Sequence, residues 1–213
     1  MNLTRVTEPD AFWEKHLWDS LRGIQTVLLS QPDHPGRPSA QRRAVDIGTG
    51  AGFPGLPMAI ACPDWSVTLL DSTRKKVAFV AEVAQALSLD NALPLAARAE
   101  TVGRNPDHRQ CYDLALVRAV APVAVCAEYA LPLLAVGGLA VLYRGQWSAE
   151  ETAQLALVVQ QLGGKIQQVD EFTTPLTQGE RHCILVKKIT STVPEFPRDV
   201  GVPAKHPLSP PSP

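Results

Sequence analysis

Aromatic residues make up only 6% of the chain, and four cysteines are present: Cys62, Cys111, Cys126 and Cys183. No two of them stand in a C-x-x-C pair, so neither a zinc site nor a disulfide framework is expected. Scattered single cysteines without an export signal read as reduced core residues of a cytoplasmic protein. No apolar run approaches the ~18 residues of a membrane span. No basic-then-apolar leader opens the sequence, so no secretory signal is expected. The formal net charge of −1 excludes a globally basic nucleic-acid binder, although a local basic face stays open. His16, Asp19 and Ser20 fall at i, i+3 and i+4 on one helical face. A nucleophilic serine needs a shaped turn and an oxyanion hole, and no G-x-S-x-G elbow is present. Those three residues are expected to be hydrogen-bonded groups packed at the domain edge.

What is present centres on RAVDIGTGAGFPGLPM, Arg43 to Met58. The short apolar run Ala44–Ile47 predicts a buried strand, the glycines a tight turn, and Met58 onward a helix start. Glycine permits a backbone that other residues resist and lets a ligand approach the main chain. Such a strand–loop–helix unit offers free N–H groups and the positive end of a helix. Gly50-x-Gly52-x-x-Gly55 fits a dinucleotide fingerprint, with Asp71 about 20 residues on as that fingerprint asks. Asp46, two residues before Gly48, argues otherwise. A carboxylate there repels a pyrophosphate and suits an ammonium group, which favours S-adenosylmethionine over a nicotinamide dinucleotide.

Along the 213 residues, of which 45% are hydrophobic, strands alternate with helices. A first helix is predicted over Pro9–Leu28, followed by a Pro/Gly connector, Gln31–Gln41. Trp65–Asp71 predicts the second strand, with Ser72 or Thr73 capping the next helix. Leu93–Ala97 and Tyr112–Val117 predict the third and fourth strands. Gly137-Gly138 is expected to turn the chain into a fifth strand, Leu139–Tyr143. Lys165–Phe172 and His182–Lys188 predict a final pair, plausibly antiparallel, joined by a loop of about ten residues. The expectation is an α/β, mostly parallel, seven-stranded sheet with helices on both faces. Three stretches are expected: an N-terminal helix and linker over 1–41, the main domain over 42–190 and a Pro-rich tail over 191–213. The tail's prolines argue against a helix or a central strand. It would suit a loose linker or an extended arm laid on the domain or on RNA. Ligands bind such sheets at the carboxyl ends of the strands. Asp46–Gly52, Asp71–Thr73, Ala99–Glu100 and Arg118 all fall at those ends.

The segments VDIGTGAGFPGLPMAI, LLDSTRKKVAFV, RAE, VRAVAP and GERH together resemble the 16S ribosomal RNA guanine-N7 methyltransferases, also called glucose-inhibited division protein B. NLTRVTEPDAFWEKHLWDSL and VPEFPRDVGVPAKHPL extend the resemblance to both ends. Members usually carry several dozen further helical residues ahead of the NLT segment, so the expectation is either that the reading frame begins upstream of Met1 or that this protein lacks that helical part. The resemblance implies a Rossmann-like class I S-adenosylmethionine-dependent methyltransferase. It implies that Gly48 and Phe53 bound the methionine end of the cofactor, with Asp46, Gly50 and Gly52 in the same loop. Asp71 would accept the ribose hydroxyls beside Ser72 and Thr73, Ala99 and Glu100 would meet the adenine, and Arg118 would lie at the methyl-transfer centre. Exocyclic-amine methylases carry an N/D-P-P-Y/F motif after the fourth strand, where this chain has Arg118-Ala119-Val120. Pyrimidine-C5 methylases need a catalytic cysteine, and Cys62-Pro63 sits at a helix end. A ring nitrogen is the acceptor this leaves. The expected partner is 16S ribosomal RNA or the small ribosomal subunit, gripped by Arg74, Lys75, Lys76, Arg144, Arg181 and His182. A monomer is expected, with no metal and no membrane partner. The alternatives are a small-molecule methyltransferase, a non-catalytic RNA- or nucleotide-binding module, and a nicotinamide-dependent dehydrogenase.

Overall fold

The structure, a computed structural model, describes residues 8–30 and 42–209. The expected connector Gln31–Gln41, the start of the NLT segment and the last prolines of the tail lie outside the described residues. Seven strands form one sheet: β1 (Arg42–Ile47), β2 (Trp65–Asp71), β3 (Ala92–Ala96), β4 (Tyr112–Arg118), β5 (Leu134–Arg144), β6 (Gly164–Thr173) and β7 (Glu180–Lys188). Their order is β3-β2-β1-β4-β5-β7-β6. The first five run parallel, and β7 is antiparallel to both β5 and β6. The expected sheet is therefore present. The order reverses direction at β1 and β4, so the carboxyl ends of these two strands flank the switch point where open α/β sheets hold ligands.

Two local expectations are corrected. Gly137-Gly138 does not precede the fifth strand but lies inside it. The register jumps there, with Tyr112 opposite Leu134 but Leu114 opposite Leu139. A Cβ on Gly138 would stand 2.9 to 3.2 Å from three backbone carbonyls, so the glycine lets the bulge close. Arg42 and Arg43 extend β1 two residues ahead of the expected run Ala44–Ile47. Their guanidinium groups lie over the rings of Trp65 and Tyr112, 5.6 and 4.8 Å from the centroids, which gives two charged side chains a place on a strand.

Alternation along the strands divides the core. Val45, Ile47, Ala115 and Val117 face one side and pack with α6 (Ala99–Arg104), α7 (Val123–Ala130) and α8 (Ala149–Gln161). Ala44, Leu114, Leu116 and Val141 face the other and pack with α4 (Gly55–Ala61), α5 (Arg74–Ala86) and the N-terminal helices. Ser148 begins α8 with a capping box: its hydroxyl accepts from Glu151 N, and the Glu151 carboxylate accepts from Ser148 N.

The single N-terminal helix expected is instead α1 (Pro9–Phe12), a π-helical stretch (Trp13–Trp18), α2 (Asp19–Gly23) and α3 (Gln25–Ser30). The Ser20 hydroxyl donates back to the His16 carbonyl within this wide turn. Glu14 fixes the segment from below. Its carboxylate accepts from Leu176 N, Thr177 N and the Thr177 hydroxyl in the β6–β7 loop. Burial raises its pKa, but these hydrogen bonds outweigh that and hold it below the usual range.

The C-terminal segment is not a loose linker. Arg109 donates to the carbonyls of Thr192, Val193 and Phe196. Arg198 forms a forked ion pair with the fully buried Glu128. The tail also contains one helical turn, α9 (Val202–Lys205). Pro203 is accommodated because it sits in the first turn, where a missing N–H costs no bond.

Candidate functional site

The site is built at the carboxyl ends of β1, β2 and β4. Asp46 is the next-to-last residue of β1 and is 1% exposed. One of its oxygens, Oδ2, accepts from the Thr49 hydroxyl at 2.6 Å and from Gly55 N at 2.8 Å. The second contact caps α4, whose own N-cap residue, Pro54, offers no side-chain acceptor. The other oxygen, Oδ1, is buried without a hydrogen-bond partner. Burial pushes the Asp46 pKa up to about 6, against the pull of Thr49 and Gly55. The glycines of the loop are needed for different reasons. Gly48 has φ +73°, and a Cβ there would meet Val120 Cγ2 at 2.6 Å. A Cβ on Gly55 would come within 2.8 Å of Asp46 Oδ2 and break the cap.

Asp71 ends β2 and holds the loop from the other side. Its Oδ2 accepts from Gly50 N at 3.2 Å and its Oδ1 from Thr73 N at 2.8 Å. Lys76 Nζ lies 3.6 Å away. The expected side-chain cap of α5 by Ser72 or Thr73 is absent, because Thr73 occupies the N-cap position and makes no cap bond through its hydroxyl. The Asp71 carboxylate turns the chain there instead.

Between these two strand ends lies a cleft of about 330 Å³. Gly48, Asp71, Ser72, Thr73, Ala99 and Glu100, all named from the sequence, line it together. Tyr129, Val120 and Ala204, which the sequence reading did not single out, line it too. Glu100 is 2% exposed, and its Oε1 accepts from Gly201 N at 2.9 Å and from the Tyr129 hydroxyl at 3.2 Å. Asp46, Gly50, Gly52, Phe53 and Arg118 do not line the cleft. Asp46 lies beneath the loop, and Gly50 supplies a backbone donor to Asp71.

Phe53 and Arg118 belong to an adjoining cluster with the N-terminal helices. The Phe53 ring stacks on His16 with centroids 4.8 Å apart. The Arg118 guanidinium lies 5.9 Å from the Phe53 centroid. Arg118 Nη1 donates to the Lys15 carbonyl at 2.9 Å and to Asp19 Oδ2 at 3.2 Å. Arg181 Nε lies 3.7 Å from Asp19 Oδ1. Burial raises the Asp19 pKa, while Arg118 and Arg181 pull it back. Burial and the charges of Arg118 and Lys15 lower the His16 pKa, which keeps its ring neutral near pH 7. The polar face of the first helix therefore does not pack at a passive domain edge, but meets Arg118 across the strand end. Polar residues at helical spacing were visible in the sequence, whereas their partner about a hundred residues away was not.

Two cations expected at an RNA surface are turned inward. His182 is buried and its Nδ1 bonds the Gly145 carbonyl at 2.7 Å. Arg144 donates to the Ala121 carbonyl at 3.0 Å and fixes the loop after β4. Arg74, Lys75 and Arg98 remain exposed at the cleft's mouth or close to it. Among the described residues, no three His, Cys, Asp or Glu side chains gather as a metal site, and no helix is long and apolar enough to cross a membrane.

The sheet order, with the glycine loop and an acid at the ends of β1 and β2, defines the Rossmann-like class I fold of S-adenosylmethionine-dependent methyltransferases. A family model described as GidB, rRNA small subunit methyltransferase G, matches residues 1–184, and the chain belongs to that family. A protein of Trichormus variabilis named ribosomal RNA small subunit methyltransferase G is 52% identical over 211 residues, covering 98% of this chain and 83% of that protein. One of the same name from Nostoc punctiforme is 50% identical over 208 residues, with the same coverage. Among solved structures, a mutant 16S rRNA (adenine(1408)-N(1))-methyltransferase from Catenulisporales acidiphilia superposes with a TM-score of 0.61 at 18% identity. That match covers 73% of this chain and 88% of the other, and it bears on the fold alone.

Proposed function

We propose that the chain transfers the methyl group of S-adenosylmethionine to N7 of a guanine in 16S ribosomal RNA. One observation carries the reading: a cleft bounded by the glycine loop and Asp71, in a chain sharing half its residues with proteins named for methylating small-subunit RNA. The residues suit this methyl donor. The buried Asp46, whose Oδ1 has no hydrogen-bond partner, puts a carboxylate beneath the glycine loop, which suits an ammonium group better than a phosphate. Asp71 is a fixed acceptor suited to ribose hydroxyls. Backbone at Ala99 and Glu100 suits the adenine, and Gly48, with Phe53 in the adjoining cluster, suits the methionine end.

When bound, S-adenosylmethionine supplies an electrophilic methyl group on a positively charged sulfur. Guanine N7 carries a lone pair and no proton, so the chain needs no general base. Orientation is then the main contribution, and such positioning is worth about 7–11 kcal/mol in favourable cases. Arg118 is cationic and cannot stabilise the positive charge that guanine gains. It serves instead to hold an acceptor atom or a phosphate of the RNA, with His16, Asp19 and Phe53 fixing its direction. Arg74, Lys75 and Lys76 supply phosphate contacts. The chain then works as a monomer in the cytoplasm on 16S RNA or the small subunit.

The test is methyl transfer from labelled S-adenosylmethionine onto naked 16S RNA and intact small subunits, followed by mapping of the product. N7-methylguanine at one position is expected. Label on a metabolite with none on ribosomal RNA would replace this reading with a small-molecule methyltransferase.

A further inference from the structure

The segment after β7 lies outside residues 1–184, the span matched by the family model, yet it reaches the cleft. Its path is fixed at four places. The Arg109 guanidinium gathers carbonyls from Thr192, Val193 and Phe196. Arg104 donates to the Pro197 carbonyl at 2.8 Å. Arg198 pairs with Glu128, which is fully buried beneath it. Gly201 N donates to Glu100 Oε1. Close contact between the layers depends on Gly103, where a Cβ would stand 2.8 Å from Pro197 Cγ. Beyond the last anchor, α9 carries Ala204 onto the cleft, which Ser72 and Thr73 also line.

We infer that this C-terminal arm is a wall of the S-adenosylmethionine site, and that Glu100 is a positioning residue that holds the arm there. The inference rests on the methyltransferase reading above. Glu100 lines the cleft, but the Gly201 amide and the Tyr129 hydroxyl both donate to the same carboxylate oxygen. The carboxylate therefore assembles the wall. Recognition of the adenine edge falls to the backbone around Ala99 and to the surface that α9 presents. Ala204 is exposed in the open cleft, so a larger side chain there would fill ligand space without disturbing the core. Because the arm and the cofactor share a boundary, linkage requires that each favour the other's bound position.

Two measurements on the full chain decide. Ala204→Trp is expected to weaken S-adenosylmethionine binding at least tenfold by calorimetry, with the ligand-free melting temperature unchanged. In the wild-type chain, saturating S-adenosylmethionine is expected to slow tryptic cleavage after Lys205 several-fold. Wild-type affinity in Ala204→Trp, or cleavage at an unchanged rate, would overturn the wall while leaving the methyltransferase reading standing. A wild-type chain that bound no S-adenosylmethionine would remove both.

Discussion

Arg118 Nη1 reaches Asp19 Oδ2 at 3.2 Å, joining the end of the central strand β4 to a helix that precedes the whole sheet. Both side chains are largely buried, at 16% and 10% exposure, so the pair is shielded from solvent far more than a surface bridge. With the Lys15 carbonyl and the stacked rings of His16 and Phe53, it sets the direction of the guanidinium beside the cofactor cleft.

Arg118→Ala is expected to leave the fold intact and to lower methyl transfer to 16S RNA by about 10²-fold, the scale of a loss of substrate positioning. Arg118→Lys should rescue little, because a single ammonium cannot reproduce both arms of the guanidinium, Nη1 on Asp19 and the Lys15 carbonyl and Nη2 facing His16 Nδ1. Single-turnover rates on RNA are the measurement. Wild-type rates in Arg118→Ala would remove this residue from the site.

Asp46 gives a pH prediction. Its carboxyl titrates near 6 in the folded chain against an ordinary value of 3.8, so the native state holds the extra proton between those values. Stability from this group therefore falls as pH rises from about 4 to about 6, by on the order of 3 kcal/mol, and is level above that. Asp46→Asn should flatten this part of the stability profile in denaturant titrations. The same variant should bind S-adenosylmethionine at least tenfold more weakly, since the buried anion is gone. In the wild-type chain, affinity should rise as pH passes upward through 6. An unchanged profile in Asp46→Asn would show that another group titrates there.

Lys188 is 1% exposed and donates from Nζ to the carbonyls of Leu131 and Leu162 and to the Thr192 hydroxyl. Two of these acceptors lie at the ends of α7 and α8, where a cation is favoured. Burial, with a smaller effect from Arg109, lowers the Lys188 pKa to about 7. Lys188→Met keeps the stem but strands the carbonyls, and it should cost about 2–3 kcal/mol in urea unfolding. A loss below 0.5 kcal/mol, on the order of an ordinary surface change, would mean that water replaces the amine there.

Arg74, Lys75 and Lys76 crowd the first turn of α5, where three cations oppose the helix dipole. Replacing all three by alanine should weaken RNA binding and lower the slope of log K against log salt by about 2, as expected for three lost contacts to single-stranded phosphate. The melting temperature should hold or rise. A slope identical to that of the wild-type chain would place the RNA elsewhere.

Much of this architecture could be read from residue order. Ala44–Ile47 and Trp65–Asp71 are apolar runs with an acid at or next to their ends, and the glycines after Asp46 fix where the chain must turn. Other features depend on partners that no local pattern specifies. Spacing put His16 and Asp19 on one face but could not say that Arg118 faces them. Gly137-Gly138 signals a break in regular backbone, and a bulge satisfies that signal as well as a turn does. The prolines of the tail argue against long regular elements but are silent on packing, so the capture of three tail carbonyls by Arg109 was not visible. Cys111, expected in the core with the other three cysteines, is only half-buried, unlike Cys62, Cys126 and Cys183.

The Asp46 carboxylate bonds both the middle of the glycine loop, through Thr49, and the first amide of α4, at Gly55. The loop is thereby fastened to a strand at the centre of the sheet. Amide exchange at Gly55 should then proceed only when the whole domain opens, at the slow rate of its most protected strands. On that account the cofactor loop is no moving lid, and entry and exit of ligand must be governed by the other side of the cleft.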